Sequence, residues 1–313
     1  MKPLVIAHRG ASGYLPEHTR AAKVLAHLMG ADFLEQDIVA TRDNELIVLH
    51  DVHLDTVTNV KTRYPGRARA DGRYYVRDFD LAEIRTLTAW ERMQPDGTAV
   101  YPNRYPAQTG HHRVQTFAEE IQLINRLNKA TGRQAGIYPE IKSPAWHRAE
   151  GIDISPLVLE QIRHFDGAGD PSLVFVQCFD DAEVRRIKRE LGCRWPIVQL
   201  IGLNEWQEAD TDYLELSSPA GLARVAAVAD GIGPHLSYLY NLDAGPVQAT
   251  SLVAEAHALG LVVHPYTFRS DDLPPGFPTL QALLRFCVLE LRIDGLFTDF
   301  TDQVIEILQA IGE

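Results

Sequence analysis

Short apolar runs alternate along the chain with longer segments whose apolar residues recur every three to four positions. The short runs predict β-strands, and the periodic segments predict amphipathic helices. Strands are predicted at Leu4–His8, Phe33–Val39, Leu46–His50, Ala135–Ile141, Leu173–Cys178, Pro196–Ile201, Gly231–Gly233, Leu261–Tyr266 and Gly295–Thr298. Helices are predicted at Thr19–Met29, Phe117–Thr131, Pro156–Phe165, Asp181–Leu191, Pro219–Ala229, Ser251–Leu259, Leu280–Leu289 and Asp302–Ile311. This alternation is typical of an α/β protein with a parallel sheet.

Two of the predicted helices have recognisable ends. Thr116 and Glu119 form the sequence signature of a capping box, and Gly132 is a typical helix stop. Ser155 followed by Pro156 is typical of an N-cap with proline in the first turn.

The number of strand–helix units predicts a TIM-like (β/α)8 barrel, with residues 1–313 forming a single barrel domain. Nine strands are predicted, one more than the eight strands of such a barrel. The link from Val39 to Leu46 is too short for an ordinary parallel crossover, so one segment near it is expected to be irregular. Residues 51–115 lack a sustained period and are expected to form an insertion after the third strand. An insertion of this length should carry some fold of its own.

Charge and hydropathy exclude some classes of function. The formal net charge of −12 argues against nucleic-acid binding, which normally requires a basic face. The sequence contains no apolar run of the roughly 18 residues that a membrane span needs, so stable membrane insertion is not expected. Strand-like sequence already begins at Leu4, which leaves no signal peptide and favours the cytoplasm. The periplasm is the alternative if a signal peptide was removed.

Acidic side chains occur at matching positions of two predicted strands. Glu35 and Asp37 point to one side of the second strand because side chains alternate along a strand, and Glu140 lies in the fourth strand. Neighbouring carboxylates repel each other unless a cation lies between them, and all-oxygen ligands favour Mg²⁺ or Ca²⁺. The sequence therefore predicts one divalent cation on these three residues, with an exposed acidic strand face as the alternative.

Histidines and cations follow the same strands. His8 and Arg9 end the first strand, His50 ends the third, and Lys142 follows Glu140. Reactive residues of barrel enzymes gather at these strand ends. We therefore expect two histidines that transfer protons, with Arg9 and Lys142 binding an anion. Each residue taken singly could equally be structural.

The chain resembles the glycerophosphodiester phosphodiesterases, most of all the bacterial GlpQ-type enzymes. The resemblance rests on VIAHRGASGYLPEHT, GADFLEQDIVATRDNELIVLHD and IYPEIK, and it continues through DGRYYVRDF, VQCF, DGIGP, LVVHPYTFRSD and DGLFTDF. It implies a barrel of the phospholipase C-like phosphodiesterase type with an insertion at 51–115. GlpQ-type enzymes are typically exported, which differs from the start of this sequence.

The resemblance also implies roles for the site residues. By it, His8 and His50 are catalytic, Glu35, Asp37 and Glu140 hold Ca²⁺ or Mg²⁺, and Arg9 and Lys142 contact the phosphate. Glu17 and Gln177 fall in family motifs and are expected to lie in the substrate site. Phe268, with Tyr266, Phe297 and Phe300, is a candidate for an apolar wall, although packing in the core is an alternative for these aromatic residues.

The implied reaction is hydrolysis of a small-molecule glycerophosphodiester, such as glycerophosphocholine, to glycerol 3-phosphate and an alcohol. The nucleophile is either the neighbouring glycerol hydroxyl, which would give a cyclic phosphate, or water. We expect His8 to act as base and His50 as acid. Two alternatives remain: a lysophospholipase D or phosphoinositide-type enzyme, which would need an acyl groove or membrane-binding face, and a non-catalytic phosphate- or polyol-binding protein. The sequence leaves the oligomeric state open.

Overall fold

Eight parallel strands form a nearly closed barrel in the computed structural model, which describes residues 2–94, 96–242 and 245–312. The barrel strands are β1 (Leu4–Ala7), β2 (Phe33–Ala40), β4 (Gly136–Ile141), β5 (Val176–Cys178), β6 (Ile197–Ile201), β7 (Gly231–Pro234), β10 (Val262–Val263) and β11 (Gly295–Thr298). Their order around the barrel is β10-β7-β6-β5-β4-β2-β1-β11. Backbone hydrogen bonds connect the two end strands, since Asp294 N donates to Val263 O at 3.1 Å and Phe297 N to Pro265 O at 3.1 Å. The predicted (β/α)8 barrel is confirmed.

The segment at Leu46 is the irregular one among the nine predicted strands. It forms β3 (Leu46–Val48), which pairs antiparallel with β2 in a hairpin, with Ile38 opposite Val48. The short connection allows a hairpin but no crossover helix. The third strand along the chain is therefore not a barrel strand, and the insertion follows this hairpin.

Most predicted helices occur within a few residues of their expected bounds. The capping box of Thr116 and Glu119 is present, and Gly132 ends the same helix in the left-handed conformation. The expected cap at Ser155 is wrong, because the helix begins at Ile154 after Asp153 and the buried Ser155 hydroxyl donates to Glu183 instead. The helices are α1 (Arg20–Met29), α2 (Val60–Arg63), α3 (Leu81–Ile84), α4 (Phe117–Thr131), α5 (Pro144–Ala149), α6 (Ile154–Ile162), α7 (Asp181–Arg189), α8 (Tyr213–Leu216), α9 (Pro219–Ala226), α10 (Leu252–Ala258), α11 (Leu280–Arg285), which continues as a π-helix over Phe286–Leu291, and α12 (Thr301–Gly312).

The interior of the barrel is apolar in its middle and polar at the carboxyl ends of the strands. Its floor is a cluster of buried side chains that includes Ile6, Phe33, Tyr138 and Phe297. Positions two residues further along these strands are polar, and alternation directs them to the same side. The main hydrophobic core lies separately, between the strands and the surrounding helices. The polar layer thus lies at the carboxyl ends of the strands, above a rigid apolar floor.

The inserted residues between β3 and α4 pack around a hydrophobic core of their own. Leu54, Val76, Phe79 and Ile84 are fully buried there, and Val39 of β2 joins them. A small hairpin, β8 (Tyr240–Asn241) and β9 (Gln248–Ala249), lies between β7 and α10. Among the described residues, no helix combines the length and apolar character that crossing a bilayer requires.

Candidate active site

The strand register brings the predicted polar residues together at the carboxyl rim of the barrel. Asp37 of β2 is paired with Glu140 of β4, and Glu140 with Gln177 of β5, so the three lie in one row across the sheet. A cavity of about 300 Å³ opens above this row. Of the candidate residues, those that line it are His8, Arg9, Glu35, Asp37, His50, Glu140 and Gln177.

The three carboxylates form a buried cluster. Burial, together with the neighbouring Asp37, raises the pKa of Glu35 well above its usual value, and burial and Asp37 do the same for Glu140. Burial also opposes ionisation of Asp37, but hydrogen bonding from His18 and the nearby His50 and Lys142 hold its pKa well below normal. Three carboxyl groups this close cannot all ionise without a further positive charge.

The donor set fits a hard divalent cation. One donor atom from each of His18, Glu35 and Asp37 lies within 4.8 Å of the others, whereas Glu140, the third predicted ligand, is not part of this group and pairs with Lys142 at 2.9 Å. Oδ1 of Asp37 is buried and has no hydrogen-bond partner among the described residues. An unpartnered buried carboxylate oxygen is costly unless something positive is bound to it. His18 was not predicted, and its Nε2 is 2.7 Å from Oδ2 of Asp37, so it is placed to orient that carboxylate as well as to offer a ligand.

His8 is held by a carboxylate from the opposite end of the chain. Its Nδ1 lies 2.6 Å from Oδ1 of Asp299, the residue that follows β11. Burial, reinforced by Arg9, lowers the pKa of His8 to about 4, although Asp299 opposes this. Asp299 accepts hydrogen bonds from Arg269 at 2.6 Å and Arg104 at 2.9 Å. With Nδ1 fixed by Asp299, Nε2 of His8 is left for chemistry.

His50 has a corresponding partner in the next residue. Its Nδ1 lies 2.5 Å from Oδ1 of Asp51, and its Nε2 is 3.5 Å from Nζ of Lys142. Burial, Arg9 and Lys142 lower the pKa of His50. Asp51 also accepts from Arg92 of the insertion at 2.7 Å. Each histidine is thus backed by a carboxylate, and each carboxylate by an arginine of the insertion.

Arg9 is fixed in place at the centre of the site. Its backbone has φ 58, and its amide donates to Glu35 at 2.6 Å. Its guanidinium donates to Glu17 at 2.9 Å, and Glu17 also accepts from Arg92 at 2.6 Å. The next residue has to be glycine, since Gly10 has φ 90 and an added Cβ would lie 2.8 Å from the backbone of Ala22.

Four candidates differ from their expected positions. Glu17 is engaged by two arginines beside the cavity, which makes it a support for Arg9. Lys142 lies behind the lining, 2.9 Å from Oε1 of Glu140. The expectation that Phe268 forms a substrate wall is wrong, because its ring is completely buried in the main core. Phe300 is likewise packed away, at 5.4 Å from the ring of Tyr14, whereas Tyr266 and Phe297 line the cavity.

Several residues that shape the site were not singled out from the sequence. Asp299 lies in the quoted motif DGLFTDF and His18 in LPEHT, so the motifs contained a signal for both. Arg269 likewise lies in the quoted motif LVVHPYTFRSD, whereas Arg92 and Arg104 carried no readable signal, because only the folded chain brings them to the carboxylates behind the two histidines. At the far side of the cavity, Phe179 and Thr267 lie in the quoted motifs VQCF and LVVHPYTFRSD, whereas no signal marked the other lining residues, which are Leu200, Trp206, Glu208 and His235.

Comparisons with known proteins agree with this geometry. Residues 8–303 match the Glycerophosphoryl diester phosphodiesterase family. A glycerophosphodiester phosphodiesterase of Haemophilus influenzae is 40% identical over 98% of this chain and 90% of its own length, and one of Treponema pallidum is 36% identical over 97% and 91%. A phosphodiesterase of Oleispira antarctica, solved with the product sn-glycerol-3-phosphate, shares the fold with a TM-score of 0.67 at 21% identity, over 98% of this chain and 97% of that one.

The expected resemblance and the expected enzyme class are therefore confirmed. The barrel, the polar rim with its two supported histidines, and relatives that align over nearly their whole length lead to one conclusion. The chain belongs to the Glycerophosphoryl diester phosphodiesterase family.

Proposed function

We propose that the chain hydrolyses glycerophosphodiesters to glycerol 3-phosphate and an alcohol, with His8 and His50 transferring protons beside a divalent cation on Glu35, Asp37 and Glu140. One observation carries the proposal: two partly buried histidines, each oriented by its own carboxylate, face one cavity together with three clustered carboxyl groups, of which Glu35 and Glu140 have raised pKa values. Binding alone would not require two such proton carriers. The product complex of the Oleispira antarctica protein agrees with this substrate class.

The oxygen-rich cluster suits Mg²⁺ or Ca²⁺. Once bound, such an ion supplies positive charge that offsets the charge of the phosphodiester and of the three carboxylates. The chain contributes further cations in Arg9 and, from behind Glu140, Lys142. Arg9 is paired with Glu17 and lies 3.5 Å from Asp37, so its guanidinium is held rigid for the phosphate. Gln177, whose Oε1 has no partner among the described residues, can accept from a substrate hydroxyl.

The two histidines have complementary roles in the proposed reaction. His8 is neutral at pH 7, since burial lowers its pKa to about 4, so its Nε2 can take a proton from the nucleophile. Asp299 then stabilises the imidazolium that forms. His50 is also neutral at pH 7, since burial, Arg9 and Lys142 lower its pKa, so it first takes up a proton from solvent at Nε2 and then gives it to the leaving oxygen, with Asp51 holding Nδ1. Each proton transfer of this kind contributes roughly 10²–10⁴ in rate.

We propose the adjacent glycerol hydroxyl as the nucleophile, which the family resemblance favours over direct attack by water. A cyclic glycerophosphate then forms and is opened by water, with the two histidines exchanging roles. Phosphorus NMR during turnover distinguishes the routes, because the direct route shows no cyclic ester at any time.

The central test is hydrolysis of glycerophosphocholine with and without chelator, followed by readdition of Mg²⁺ or Ca²⁺. We expect chelation to abolish turnover and one of the ions to restore it. His8→Ala and His50→Ala should each lower kcat by roughly 10²–10⁴ with the fold intact. His111→Ala is a matched control, since His111 is exposed in the insertion. Near-normal turnover in either active-site variant contradicts the two-histidine mechanism, and turnover that resists chelation contradicts the cation.

A further inference from the structure

Four aromatic rings form a continuous arc in the lining of the cavity. The arc consists of Phe179, Trp206, His235 and Tyr266, which follow β5, β6, β7 and β10. Neighbouring rings meet edge to face, with centroids 5.1 Å apart for Trp206 and His235, 5.8 Å for His235 and Tyr266, and 6.0 Å for Phe179 and Tyr266. The proposed proton transfers use none of these rings.

The arc is built to present ring surface rather than hydrogen bonds. The Tyr266 hydroxyl donates to the carbonyl of Ile201 at 3.0 Å, so its polar end is already engaged. Burial lowers the pKa of His235 to about 4, and its Nδ1 is 2.8 Å from the Ser237 hydroxyl, so the ring is neutral at pH 7. A glycerol group, which needs several hydrogen bonds, is poorly matched to such a surface.

Close approach of the rings depends on a glycine. A Cβ built on Gly202 would lie 3.0 Å from the Phe179 ring and 3.2 Å from the Trp206 ring. Contacts this short require the rings to move, so a larger residue here would spread the arc. Trp206 itself is 42% exposed, which is unusual for so large an apolar side chain and leaves its ring open at the mouth of the cavity.

A carboxylate adjoins the arc. Glu208 lines the same cavity, and Lys142, 3.5 Å away, lowers its pKa, so it is ionised at neutral pH. Lys142 also lies 2.9 Å from Glu140 and 5.4 Å from the centroid of the Phe179 ring. The two guanidinium groups that line the cavity are themselves paired, Arg9 with Glu17 and Arg269 with Asp299. The arc therefore lies beside the ionised carboxylate of Glu208.

We propose that the aromatic arc and Glu208 bind a quaternary ammonium group on the leaving alcohol, so that the preferred substrates are diesters of choline-like alcohols. The inference rests on the proposed function and deepens it. An alkylated ammonium has an apolar shell and a positive charge that cannot be removed. Aromatic faces attract such a cation, and a nearby carboxylate adds to the attraction.

The test compares glycerophosphocholine with its neutral carbon isostere, the glycerol phosphate diester of 3,3-dimethylbutanol. The two have the same shape and differ in one charge. We expect the ratio of their kcat/KM values to favour the choline diester by about 5- to 30-fold, the range for a partly desolvated cation on aromatic rings. Trp206→Leu and Glu208→Gln should each move this ratio towards one, whereas Trp206→Phe, which keeps a ring, should retain most of it.

Two further measurements separate the possible outcomes. Trp146→Leu makes the same change outside the arc, where Trp146 stacks on Tyr75, and should leave the ratio unchanged. Free choline should inhibit competitively while 3,3-dimethylbutanol does not, which reports on binding without turnover. Equal kcat/KM values for both diesters in the unmodified enzyme overturn the ammonium site but not the proposed function. Failure to cleave either diester overturns both.

Discussion

Replacing Asp299 by asparagine tests how far His8 depends on its distant partner. Asparagine keeps the shape of the side chain but removes the charge that faces Nδ1 of His8 at 2.6 Å. An asparagine can also present its amide NH₂ to Nδ1, which favours the wrong tautomer of the ring. We therefore expect proton transfer to slow while substrate binding changes less.

The size of the effect follows from the charge pair that forms when His8 is protonated. Coulomb's law with an effective dielectric constant of about 20 gives a gross attraction of roughly 6 kcal/mol at 2.6 Å. Both charges are spread over several atoms, and Arg104 and Arg269 share the same carboxylate. We therefore expect Asp299→Asn to lose about a third to a half of the gross attraction, or about 2–3 kcal/mol. A loss of this size lowers kcat by about 30- to 150-fold.

The assay is initial-rate release of glycerol 3-phosphate from glycerophosphocholine, with circular dichroism and thermal unfolding to check the fold. Asp302→Asn is a matched control three residues along the chain, since exposed Asp302 accepts from the Tyr14 hydroxyl at 2.9 Å and touches neither histidine. A folded Asp299→Asn enzyme whose kcat stays within about threefold of the original would refute the reasoning.

Two further predictions concern stability. Lys23→Met should lower the free energy of unfolding in urea by about 3–5 kcal/mol, because the buried Glu120, 2.7 Å from Lys23, then loses its counter-charge. The double variant Lys23→Met/Glu120→Leu should recover most of the lost free energy. Burial lowers the pKa of His264 to about 4, so below pH 6.5 the unfolded chain takes up a proton that the folded chain does not. The contribution of His264 to stability should be complete above pH 6.5 and fall by up to about 1.4 kcal/mol per pH unit down to pH 4, in addition to the contributions of the other histidines whose pKa is lowered, such as His8 and His235. His264→Gln should flatten this slope in urea titrations, and His111→Gln on the surface should not; an unchanged slope in His264→Gln contradicts the assignment.

Much of the architecture is local and can be predicted from the sequence alone. Strand positions follow from short apolar runs, and the shared side of Glu35 and Asp37 follows from alternation along a strand. The short link after Val39 already indicated an irregular segment, and a hairpin is what so few residues allow. Local patterns failed at Ser155. The sequence predicted a helix N-cap there, but the Ser155 hydroxyl donates a buried hydrogen bond to Glu183 instead.

The contacts that orient the two candidate histidines depend on the tertiary structure alone. His8 and Asp299 are 291 positions apart, and they meet because β1 and β11 are neighbours in the barrel. Arg92 and Arg104 reach the histidines only because the insertion folds over the rim. No local pattern records such contacts, since they depend on strand order and on how the insertion packs. The sequence by itself predicted the candidate site residues, because they follow short strands whose pattern is local. The nearly closed barrel determined which partners orient the two histidines and which side chains line the cavity.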